Sequence, residues 1–452
     1  MMIGRKETRA ILVMETNTVT KLVLIARIAA ESKTAKFTSL LYLLNAKYLY
    51  ECFLELKKRK AAGIDGKTVE SYSEQEIQTI LTQTAKAIQQ NTYRPKPVRS
   101  VDIVKDNGKI RSLGIPTVVD KVVQLAMTKI IKAIYEPNFL DVSYGYRPGI
   151  DAHSCLKKVE GKIIKEKVNW IIDADISGYF DNIDHAWMMR CISERISDSK
   201  FKRLIFRFLK AGVMKDNQFK ESEKGTPQGG IISPVLANIY LHYVLDLWFE
   251  KQEKKNLTGY AQLIRYADDF IIGVQLKSDA NNILEDLAVR LKKFGLTLSS
   301  EKTGLKEFGR FARENRERKG RRKPETFDFL GFTHYCSQTR NGKFTVKQKT
   351  SKKKMKKALA AMHQWFKKVS NQKQLKEIWP ILQMKIQGHY NYYGVQGNFE
   401  GLRDYYRKTE RIIFHLGNER SQKRSWNWEE FGRYLSYHPL PRPKLTYAIH
   451  QA

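Results

Sequence analysis

The sequence predicts a mixed fold of the α/β or α+β class that is divided into two or three domains. Segments with helical periodicity alternate with short apolar segments typical of strands. Hydrophobic residues make up 42% of the 452 residues, which is enough for packed cores, and a chain of this length usually forms more than one domain. The apolar stretch 22–30 contains Arg27 and is too short to span a bilayer, so we expect a soluble protein.

The charge of the chain indicates a polyanionic partner. There are 81 Lys and Arg residues against 47 Asp and Glu residues, which gives a formal net charge of +34. Such an excess makes nucleic acid or an anionic membrane surface the first partner to consider. The four cysteines are single and widely separated, which argues against disulfides and a paired-Cys zinc site and predicts a reducing cytosol: Cys52, Cys155, Cys191 and Cys336.

The first third of the chain predicts helices followed by a β-hairpin. Leucines and aromatic residues between residues 40 and 56 keep one helical face apolar. Short alternating segments from Tyr93 to Pro116 surround Asp106-Asn107-Gly108, a strong hairpin signal. Helical periodicity returns over 118–134, and the apolar run 170–176 predicts a buried strand.

The middle of the chain predicts a glycine-rich loop, a helix and a hairpin. The loop 225–230 is followed by Ser233-Pro234, which suggests a helix N-cap and a first-turn proline. Two apolar runs within 262–274 meet at Asp268-Asp269, which predicts a tight hairpin with acids at its tip. An amphipathic helix over 281–294 should end at Gly295.

The last part of the chain is strongly basic. The polar stretch 310–323 lacks periodicity and predicts an exposed loop. From residue 347 onward there are 22 Lys or Arg residues and 7 Asp or Glu residues. Lysines between residues 352 and 368 alternate with Leu359, Met362, Trp365 and Phe366. This pattern predicts a helix with one basic face and one apolar face.

Three acids stand where the ends of neighbouring strands could bring them together. Asp175 ends one apolar run, and Asp268 with Asp269 separates two others. If these strands are adjacent, a pair of divalent cations would neutralise the converging carboxylates, an arrangement that suits phosphoryl transfer. An Asp-Asp pair can equally form a hydrogen-bonded turn.

Eight segments in this order resemble the group II intron-encoded reverse transcriptases, also called intron maturases, from about Phe37 to the carboxyl terminus. One such segment is weak evidence, but eight in order are specific. The segments are Ala62-Gly-Ile-Asp-Gly66, Arg111-Ser-Leu-Gly-Ile-Pro-Thr117, Ser143-Tyr-Gly-Tyr-Arg-Pro-Gly149, Asp175-Ile-Ser-Gly-Tyr-Phe-Asp-Asn-Ile-Asp184, Gly225-Thr-Pro-Gln-Gly-Gly230, Tyr266-Ala-Asp-Asp269, Ser300-Glu-Lys-Thr303 and Phe329-Leu-Gly-Phe332.

The resemblance implies an α+β right-hand polymerase with fingers, palm and thumb. Residues 1–92 would form a helical N-terminal extension, 93–345 the fingers and palm, and 346–452 a basic thumb or maturase X region with a short C-terminal extension. Many members continue into a Cys/His-rich endonuclease domain, and no Cys lies beyond Cys336. We therefore expect that this chain lacks that domain.

The resemblance also implies a metal site and a proton donor. Asp175, Asp268 and Asp269, with the carbonyl of Ile176, match the ligands of two Mg²⁺ ions, for which Mn²⁺ is a possible substitute. Lys302 matches the residue proposed to protonate the leaving pyrophosphate, although it could also be an exposed lysine beside a strand.

Five further residues match positions that bind the incoming nucleotide. Lys105 and Arg111 would hold the triphosphate, although both could be solvated hairpin charges. Phe180 would stack under the sugar and exclude a 2′-hydroxyl, or serve as an ordinary core aromatic. Gln228 and Gly229 would lie against the nascent base pair, where glycine allows close backbone approach; the alternative is a plain helix-entry loop.

The basic C-terminal region suits RNA binding, with Lys353 and Lys357 as candidate contacts on its basic helix. A cluster of tyrosines there could stack on bases, but core packing between helices is the favoured interpretation for most of them: Tyr390, Tyr392, Tyr393, Tyr405 and Tyr406.

Together these features predict an RNA-directed DNA polymerase that binds its intron RNA and assists splicing and cDNA synthesis. Its partners would be an RNA template, intron RNA, a DNA primer or target and deoxynucleoside triphosphates, in the cytoplasm and without a membrane. Two alternatives remain: a domesticated reverse transcriptase in DNA repair or phage defence, and a non-catalytic RNA-binding splicing factor. The intact acids at 175, 268 and 269 argue against the latter. The sequence does not indicate an oligomeric state.

Overall fold

A computed structural model describes residues 18–104, 110–216, 218–226, 229–321, 323–419 and 425–447. Within these ranges the chain forms an α+β fold with three sheets. All strand pairs are antiparallel except that of β1 with β4. This pairing distinguishes the fold from α/β proteins, in which helices connect parallel strands. The strands are β1 (Val98–Val104), β2 (Ile110–Ile115), β3 (Trp170–Asp175), β4 (Val213–Lys215), β5 (Gln218–Lys220), β6 (Ala261–Tyr266), β7 (Asp269–Val274), β8 (Gly304–Glu307), β9 (Phe327–Phe329), β10 (Phe332–Gln338) and β11 (Phe344–Thr350).

Helices surround these sheets and form most of the N- and C-terminal regions. They are α1 (Thr18–Glu31), α2 (Ala46–Leu54), α3 (Glu74–Gln89), α4 (Val118–Tyr135), α5 (Ala152–Lys165), α6 (Tyr179–Asn182), α7 (His185–Ser193), α8 (Ser199–Leu209), α9 (Ser233–Leu241), α10 (Leu247–Lys251), α11 (Lys277–Lys293), α12 (Ala312–Arg318), α13 (Lys352–Ser370), α14 (Leu375–Tyr393), α15 (Phe399–Asn418) and α16 (Trp428–Tyr437). A π-helical turn, His242–Asp246, joins α9 to α10. Single 3₁₀ turns lie at Leu41–Leu43, Val69–Ser71, Glu136–Asn138 and Glu253–Lys255.

The N-terminal helices pack on α4, which is the most buried helix of this region. The side chains of Asn45, Ser73 and Thr117 cap α2, α3 and α4, because each accepts a hydrogen bond from the amide three residues further on. Leucines and isoleucines of α2, α3 and α4 belong to one large core cluster. The predicted N-terminal helices and the predicted helix over 118–134 are therefore confirmed.

The predicted hairpin is confirmed by the register of its two strands. β1 and β2 pair antiparallel from Arg99 with Ile115 to Val104 with Ile110. The Asp106-Asn107-Gly108 turn itself lies outside the described residues. This hairpin forms one side of a sheet with the order β2-β1-β4-β5.

The central sheet has the order β6-β7-β3-β8 and carries the acids singled out above. Its middle strands are apolar on both faces because helices and the third sheet cover them: Ile171, Ile172, Ile271 and Ile272 are all buried. α11 contacts β3 and β7, and Gly295 follows it with a φ of +72°, as the sequence predicts. The third sheet has the order β11-β10-β9, and its strands follow those of the central sheet in the sequence.

The C-terminal helices α13 to α16 form a separate core. Met362, Phe366, Ile378, Tyr390 and Tyr405 are buried within it. The lysines of α13 lie on its opposite, exposed face, so the predicted division into a basic and an apolar face is confirmed. Core packing, the favoured interpretation of the tyrosines, holds for Tyr390 and Tyr405, whereas the other three are half-buried.

Two local predictions are wrong. The N-cap of α9 is Ile232, and Ser233 is already helical, although Pro234 does occupy the first turn as expected. The stretch 310–323, expected to be a loop, contains α12. Ion pairs of Arg316 with Glu325 and of Lys319 with Glu307 hold this short helix against the central sheet. The apolar residues of 310–323 show no helical period, so the sequence pattern did not indicate this helix.

In the ranges that the structure describes, none of the helices combines the length and apolarity needed to cross a bilayer.

Candidate active site

Two of the three predicted acids are direct partners on neighbouring strands. β3 and β7 pair antiparallel, and Asp175 lies opposite Asp269 at the end of the ladder. Asp268 occupies the two-residue turn that connects β6 to β7, since Tyr266 pairs with Asp269. The strand adjacency on which the prediction depended is therefore present.

A fourth acid, Asp173, belongs to the same group. It precedes Asp175 by two residues, and alternate residues of a strand point to one face of the sheet. Burial raises the pKa of Asp173 to about 6; the charge of Lys306 opposes this rise, and those of Asp328 and Asp175 add to it. Sequence reasoning overlooked Asp173, although the spacing of two residues within a predicted strand was the signal for it.

Asp269 has a more strongly raised pKa than Asp173. Burial raises the pKa of this carboxyl to about 7, and the negative charges of Asp173, Asp268 and Asp175 raise it further, against the effect of Lys302. Burial and the neighbouring acids together disfavour the charged form of this carboxyl. The group thus favours a cation at this end of the sheet.

Lys302 supplies one cation. Its Nζ donates to Oδ2 of Asp175 at 2.5 Å, across 127 residues of sequence. The turn that carries it is attached to the same strand, because the amide of Ser299 donates to the carbonyl of Asp175 at 2.8 Å. The Lys302 side chain is 61% exposed, so it can also reach a bound molecule. This position agrees both with a proton donor to the pyrophosphate and with an exposed lysine beside a strand, so the predicted role of Lys302 stays a prediction.

Across the described parts of the chain, no three His, Cys, Asp or Glu side chains are gathered closely enough to hold a metal ion. The donors of the acidic group are carboxylate oxygens, which suit Mg²⁺ or Mn²⁺ rather than zinc, and a divalent ion would offset the burial and mutual repulsion that raise the pKa of Asp269. Ile176, the predicted carbonyl ligand, directly follows β3 and forms a bridge with Leu298. All four cysteines are free thiols, as expected.

Phe180 lies just beyond the acids, in the short helix α6. Gly178 precedes this helix with a φ of +53°, which turns the chain sharply after β3. The Phe180 side chain is half-buried, with its ring edge-on to Tyr179 at 5.3 Å between centroids. Its carbonyl accepts from the amide of Thr226 at 2.8 Å, which places Thr226 beside it. The position agrees with either a core aromatic or a surface under a bound sugar.

The remaining predicted nucleotide contacts are described only in part. Gly229 has a φ of +108°, and a Cβ there would lie 2.7 Å from the carbonyl of Gly114 in β2. Gly229 thus lies close to the first sheet, and its expected approach to the nascent base pair stays a prediction. Arg111 belongs to β2, but its side chain, like Lys105 and Gln228, lies outside the described residues.

The predicted RNA-contacting lysines lie in the first turns of α13, which follows β11 in the chain. Lys353 and Lys357 are both exposed on α13. A link to the sheets is provided by Tyr392 of α14, whose hydroxyl donates to the carbonyl of Leu330 at 2.9 Å. Leu330 lies in the two-residue turn of the Phe329 to Phe332 segment, so this turn and the C-terminal helices are attached to each other.

Sequence reasoning also missed an ion pair beneath the acidic turn. Arg265 and Asp246 are completely buried, and their side chains bind through two hydrogen bonds. An arginine inside an apolar run is the signal that could have drawn attention to it, because such a charge requires a buried partner.

Comparison with known proteins identifies relatives of this arrangement. Residues 103–334, about half of the chain, match the family model described as reverse transcriptase (RNA-dependent DNA polymerase). Group II intron-encoded protein LtrA of Lactococcus lactis subsp. cremoris is 35% identical over 323 residues, which are 58% of this chain and 53% of LtrA.

Two further relatives match shorter segments. Protein YkfC of Escherichia coli K12 is 34% identical over 246 residues, 47% of this chain and 64% of YkfC. Nuclear intron maturase 4, mitochondrial, of Arabidopsis thaliana is 29% identical over 131 residues, 28% of this chain and 16% of that protein. The chain thus spans about half the length of LtrA and less than two thirds of that of YkfC.

Proposed function

The chain belongs to the reverse transcriptase (RNA-dependent DNA polymerase) family, and on this premise we propose that it is an RNA-directed DNA polymerase of the group II intron type. The observation that carries the proposal is the pairing of Asp175 with Asp269 at the ends of β3 and β7, with Asp268 in the adjoining turn. Carboxylates assembled in this way suit nucleotidyl transfer.

In the proposed reaction the 3′-hydroxyl of the primer loses its proton to water, its oxygen forms a bond to the α-phosphorus of a deoxynucleoside triphosphate, and the bond to pyrophosphate breaks. Asp175, Asp268, Asp269 and the carbonyl of Ile176 would hold two Mg²⁺ ions, or Mn²⁺ in their place. When bound, these ions lower the pKa of the attacking hydroxyl and stabilise the charge of the leaving pyrophosphate. The raised pKa of Asp269 supports this assignment, since a divalent cation would relieve the repulsion among the acids.

Lys302 is proposed to donate a proton to the leaving pyrophosphate. Its ammonium group reaches Asp175 in the structure and is largely exposed, so it can turn from the carboxylate to a phosphate oxygen. Lys105 and Arg111 are proposed to hold the triphosphate, and Gln228 with Gly229 to lie against the nascent base pair. The short distance between Gly229 and β2 supports a continuous surface from the hairpin to this loop.

The domains are proposed to follow a right-hand polymerase. Residues 1–92 would be the N-terminal extension, 93–345 the fingers and palm, and 346–452 the thumb or maturase region. The sheet β2-β1-β4-β5 would belong to the fingers and the sheet β6-β7-β3-β8 to the palm. The separate core of α13 to α16 supports the last boundary.

A role in splicing is the second half of the proposal. The protein would bind its intron RNA and assist both splicing and cDNA synthesis. The names of the relatives, a group II intron-encoded protein and an intron maturase, and the charge of +34 support this role.

The test of the proposal is primer extension on an RNA template with Mg²⁺ and the four deoxynucleoside triphosphates. We expect RNA-templated DNA synthesis that stops when the divalent ion is chelated. RNA binding without any extension, under conditions that support extension by a known reverse transcriptase, would favour the non-catalytic splicing factor instead.

We predict that Phe180→Val raises ribonucleotide incorporation relative to deoxynucleotide incorporation. A planar ring under the sugar leaves no room for a 2′-hydroxyl, and valine keeps the site apolar but opens that space. A ribonucleotide displaced by about 1 Å reacts up to about 10²-fold more slowly, and we expect the variant to recover much of this factor. The measurement is kcat/KM for dCTP against CTP opposite a template G.

Phe206→Val serves as the control for that prediction. Phe206 is an aromatic residue on α8 that is 39% exposed, so its loss should leave the discrimination ratio unchanged. If Phe180→Val also leaves the ratio unchanged, Phe180 is an ordinary core aromatic.

We further predict that the double reversal Lys353→Glu and Lys357→Glu weakens binding of intron RNA before it lowers the polymerase rate at saturating template. Each phosphate contact that is lost should reduce the slope of log affinity against log salt by about 0.7 to 0.9. Filter binding across a salt series measures this slope, and single-turnover extension measures the rate.

The matched control for the lysine reversal carries the same change of charge elsewhere. Lys292→Glu with Lys293→Glu alters two exposed residues of α11 and should change the slope less. A parallel fall of RNA affinity and polymerase rate in the α13 variant would mean that the two functions share this surface.

A further inference from the structure

Arg265 connects four separate segments of the chain beneath the acidic turn. Its side chain is completely buried near the end of β6, and all three guanidinium nitrogens donate hydrogen bonds. Nε and Nη2 donate to the two carboxylate oxygens of Asp246 at 2.7 and 2.5 Å. Nη1 donates to Oδ1 of Asn238 at 3.1 Å and to the carbonyl of Ala267 at 2.9 Å, and Nη2 also donates to Oγ of Ser143 at 2.7 Å.

The bond to Ala267 reaches the turn itself. Ala267 has a φ of +59°, a left-handed conformation that costs an alanine free energy and that persists only when its surroundings enforce it. Arg265 therefore holds the carbonyl of the strained residue, which lies directly before Asp268. The adjacent Asp269 is the acid that pairs with Asp175.

The backbone around Gly145 packs closely against the same turn. The amide of Tyr144 donates to the carbonyl of Arg265 at 2.8 Å, and a Cβ on Gly145 would lie 2.3 Å from the amide nitrogen of Ala267. Asn238 joins both sides, because its Nδ2 donates to the carbonyl of Gly145 at 2.6 Å while its Oδ1 accepts from Arg265. Hydrogen bonds from Arg265 and Asn238 thus hold the turn and the segment around Gly145 in place.

Asp246 is presented to Arg265 by an irregular helix. The amide of Leu247 donates to the carbonyl of His242, five residues earlier, which is the spacing of a π-helix. Arg290 donates to the carbonyls of Val244 and Tyr243 at 3.0 and 3.1 Å and so supports this turn. Such single turns inside α-helices occur frequently at functional sites, because they redirect one side chain.

We propose that Arg265, anchored by Asp246, is a positioning residue that keeps the Ala267–Asp268 turn in the conformation required for nucleotidyl transfer. The inference rests on the proposed polymerase function, since it assigns to the pair a task in that reaction. A buried ion pair is by itself weak evidence of stabilisation, because apolar residues of similar volume often stabilise a core equally well. Two apolar residues in place of Arg265 and Asp246 could not donate the hydrogen bond that the carbonyl of Ala267 accepts.

The test replaces the pair by apolar residues, with Arg265→Met and Asp246→Leu in one protein. This variant avoids an unpaired buried charge and should fold, but it releases the carbonyl of Ala267. We expect kcat for single-nucleotide extension to fall by about 10²-fold, as for a misplacement near 1 Å, while KM for the nucleotide changes by less than about threefold. Wild-type kcat in the folded double variant would overturn the inference.

Amide hydrogen exchange of the peptide that contains residues 266–269 gives a readout that does not depend on activity. We expect faster exchange there in the double variant, with the other central strands unchanged. Unchanged exchange of this peptide would also overturn the inference. If the wild-type protein fails to extend a primer, the proposed function fails, whereas the exchange experiment still decides whether Arg265 holds the turn.

A second substitution separates positioning from general stability. Adding Ala267→Gly to the double variant should restore part of kcat, about five- to tenfold, because glycine adopts a positive φ without strain. A general loss of stability would not be rescued in this way. Absence of rescue would contradict the proposed role of the Ala267 carbonyl.

Two further variants complete the design. Arg195 is also buried and donates to backbone carbonyls, those of Ala35 and Ser32, far from the turn in sequence. Arg195→Met should therefore lower stability without slowing kcat or changing exchange at 266–269. If the double variant does not fold, Arg265→Lys keeps the charge for Asp246 but loses the forked geometry, and an unchanged kcat in it would overturn the inference.

Discussion

Asp268→Asn is expected to reduce nucleotide addition by at least about 10³-fold while it leaves RNA binding nearly unchanged. The substitution preserves volume but removes the charge of a proposed metal ligand. Metal ions contribute several kcal/mol of transition-state stabilisation, and each 1.36 kcal/mol corresponds to a factor of ten in rate. The measurement is single-turnover extension on an RNA template, with RNA affinity determined in parallel.

The position of Asp268 makes this substitution informative. The residue lies in the two-residue turn between β6 and β7, so it does not contribute to the strand pairing that holds Asp269 opposite Asp175. Asp286→Asn, an exposed acid on α11, is the control and should extend primers like the unmodified protein. Extension by Asp268→Asn at the same rate as this control would place the metal site elsewhere.

Gly145→Ala is expected to have the second largest effect, a loss of activity of about 10²-fold together with a loss of stability. A Cβ at this position would lie 2.3 Å from the amide nitrogen of Ala267 and 3.0 Å from the carbonyl carbon of Tyr266. Both are backbone atoms, so no side chain can move aside, and the two segments must separate. A displacement near 1 Å of the turn that carries Asp268 accounts for the loss of rate.

Overpacking of this kind costs about 1 to 3 kcal/mol of stability, which thermal unfolding should detect. Gly161→Ala is the matched control, because a Cβ at Gly161 in α5 meets no atom within 4 Å. That substitution should stabilise the protein by about 0.5 to 1 kcal/mol and leave the rate unchanged. If Gly145→Ala retained both rate and stability, the close contact between the two segments would not exist in solution.

The resemblance read from the motifs is confirmed by the matches to the reverse transcriptase family model and to group II intron-encoded protein LtrA. Several elements were also predictable from local pattern alone. The two strands of the first hairpin, the acidic tip between β6 and β7, and the glycine that ends α11 all depend on residues close together in the chain. Short-range steric preferences and the alternation of apolar residues determine such elements.

The basic helix α13 was predictable for a related reason. Its lysines and apolar residues recur with the helical period, so one face must be buried and the other solvated wherever the helix lies. By contrast, the stretch 310–323 has no such period. Its helix α12 depends on ion pairs with Glu307 and Glu325, which belong to other segments.

The sequence by itself determined the family of this protein and predicted the three acids and the segments that carry them. Only the tertiary structure decided that β3 adjoins β7, that Lys302 reaches Asp175, and that Arg265 beneath the turn is paired with Asp246. The physical reason is the range of the interactions. Periodicity and turn chemistry act over a few residues, whereas Arg265 binds Ser143 across 122 residues and Lys302 binds Asp175 across 127 residues, and only the packed chain brings such partners together.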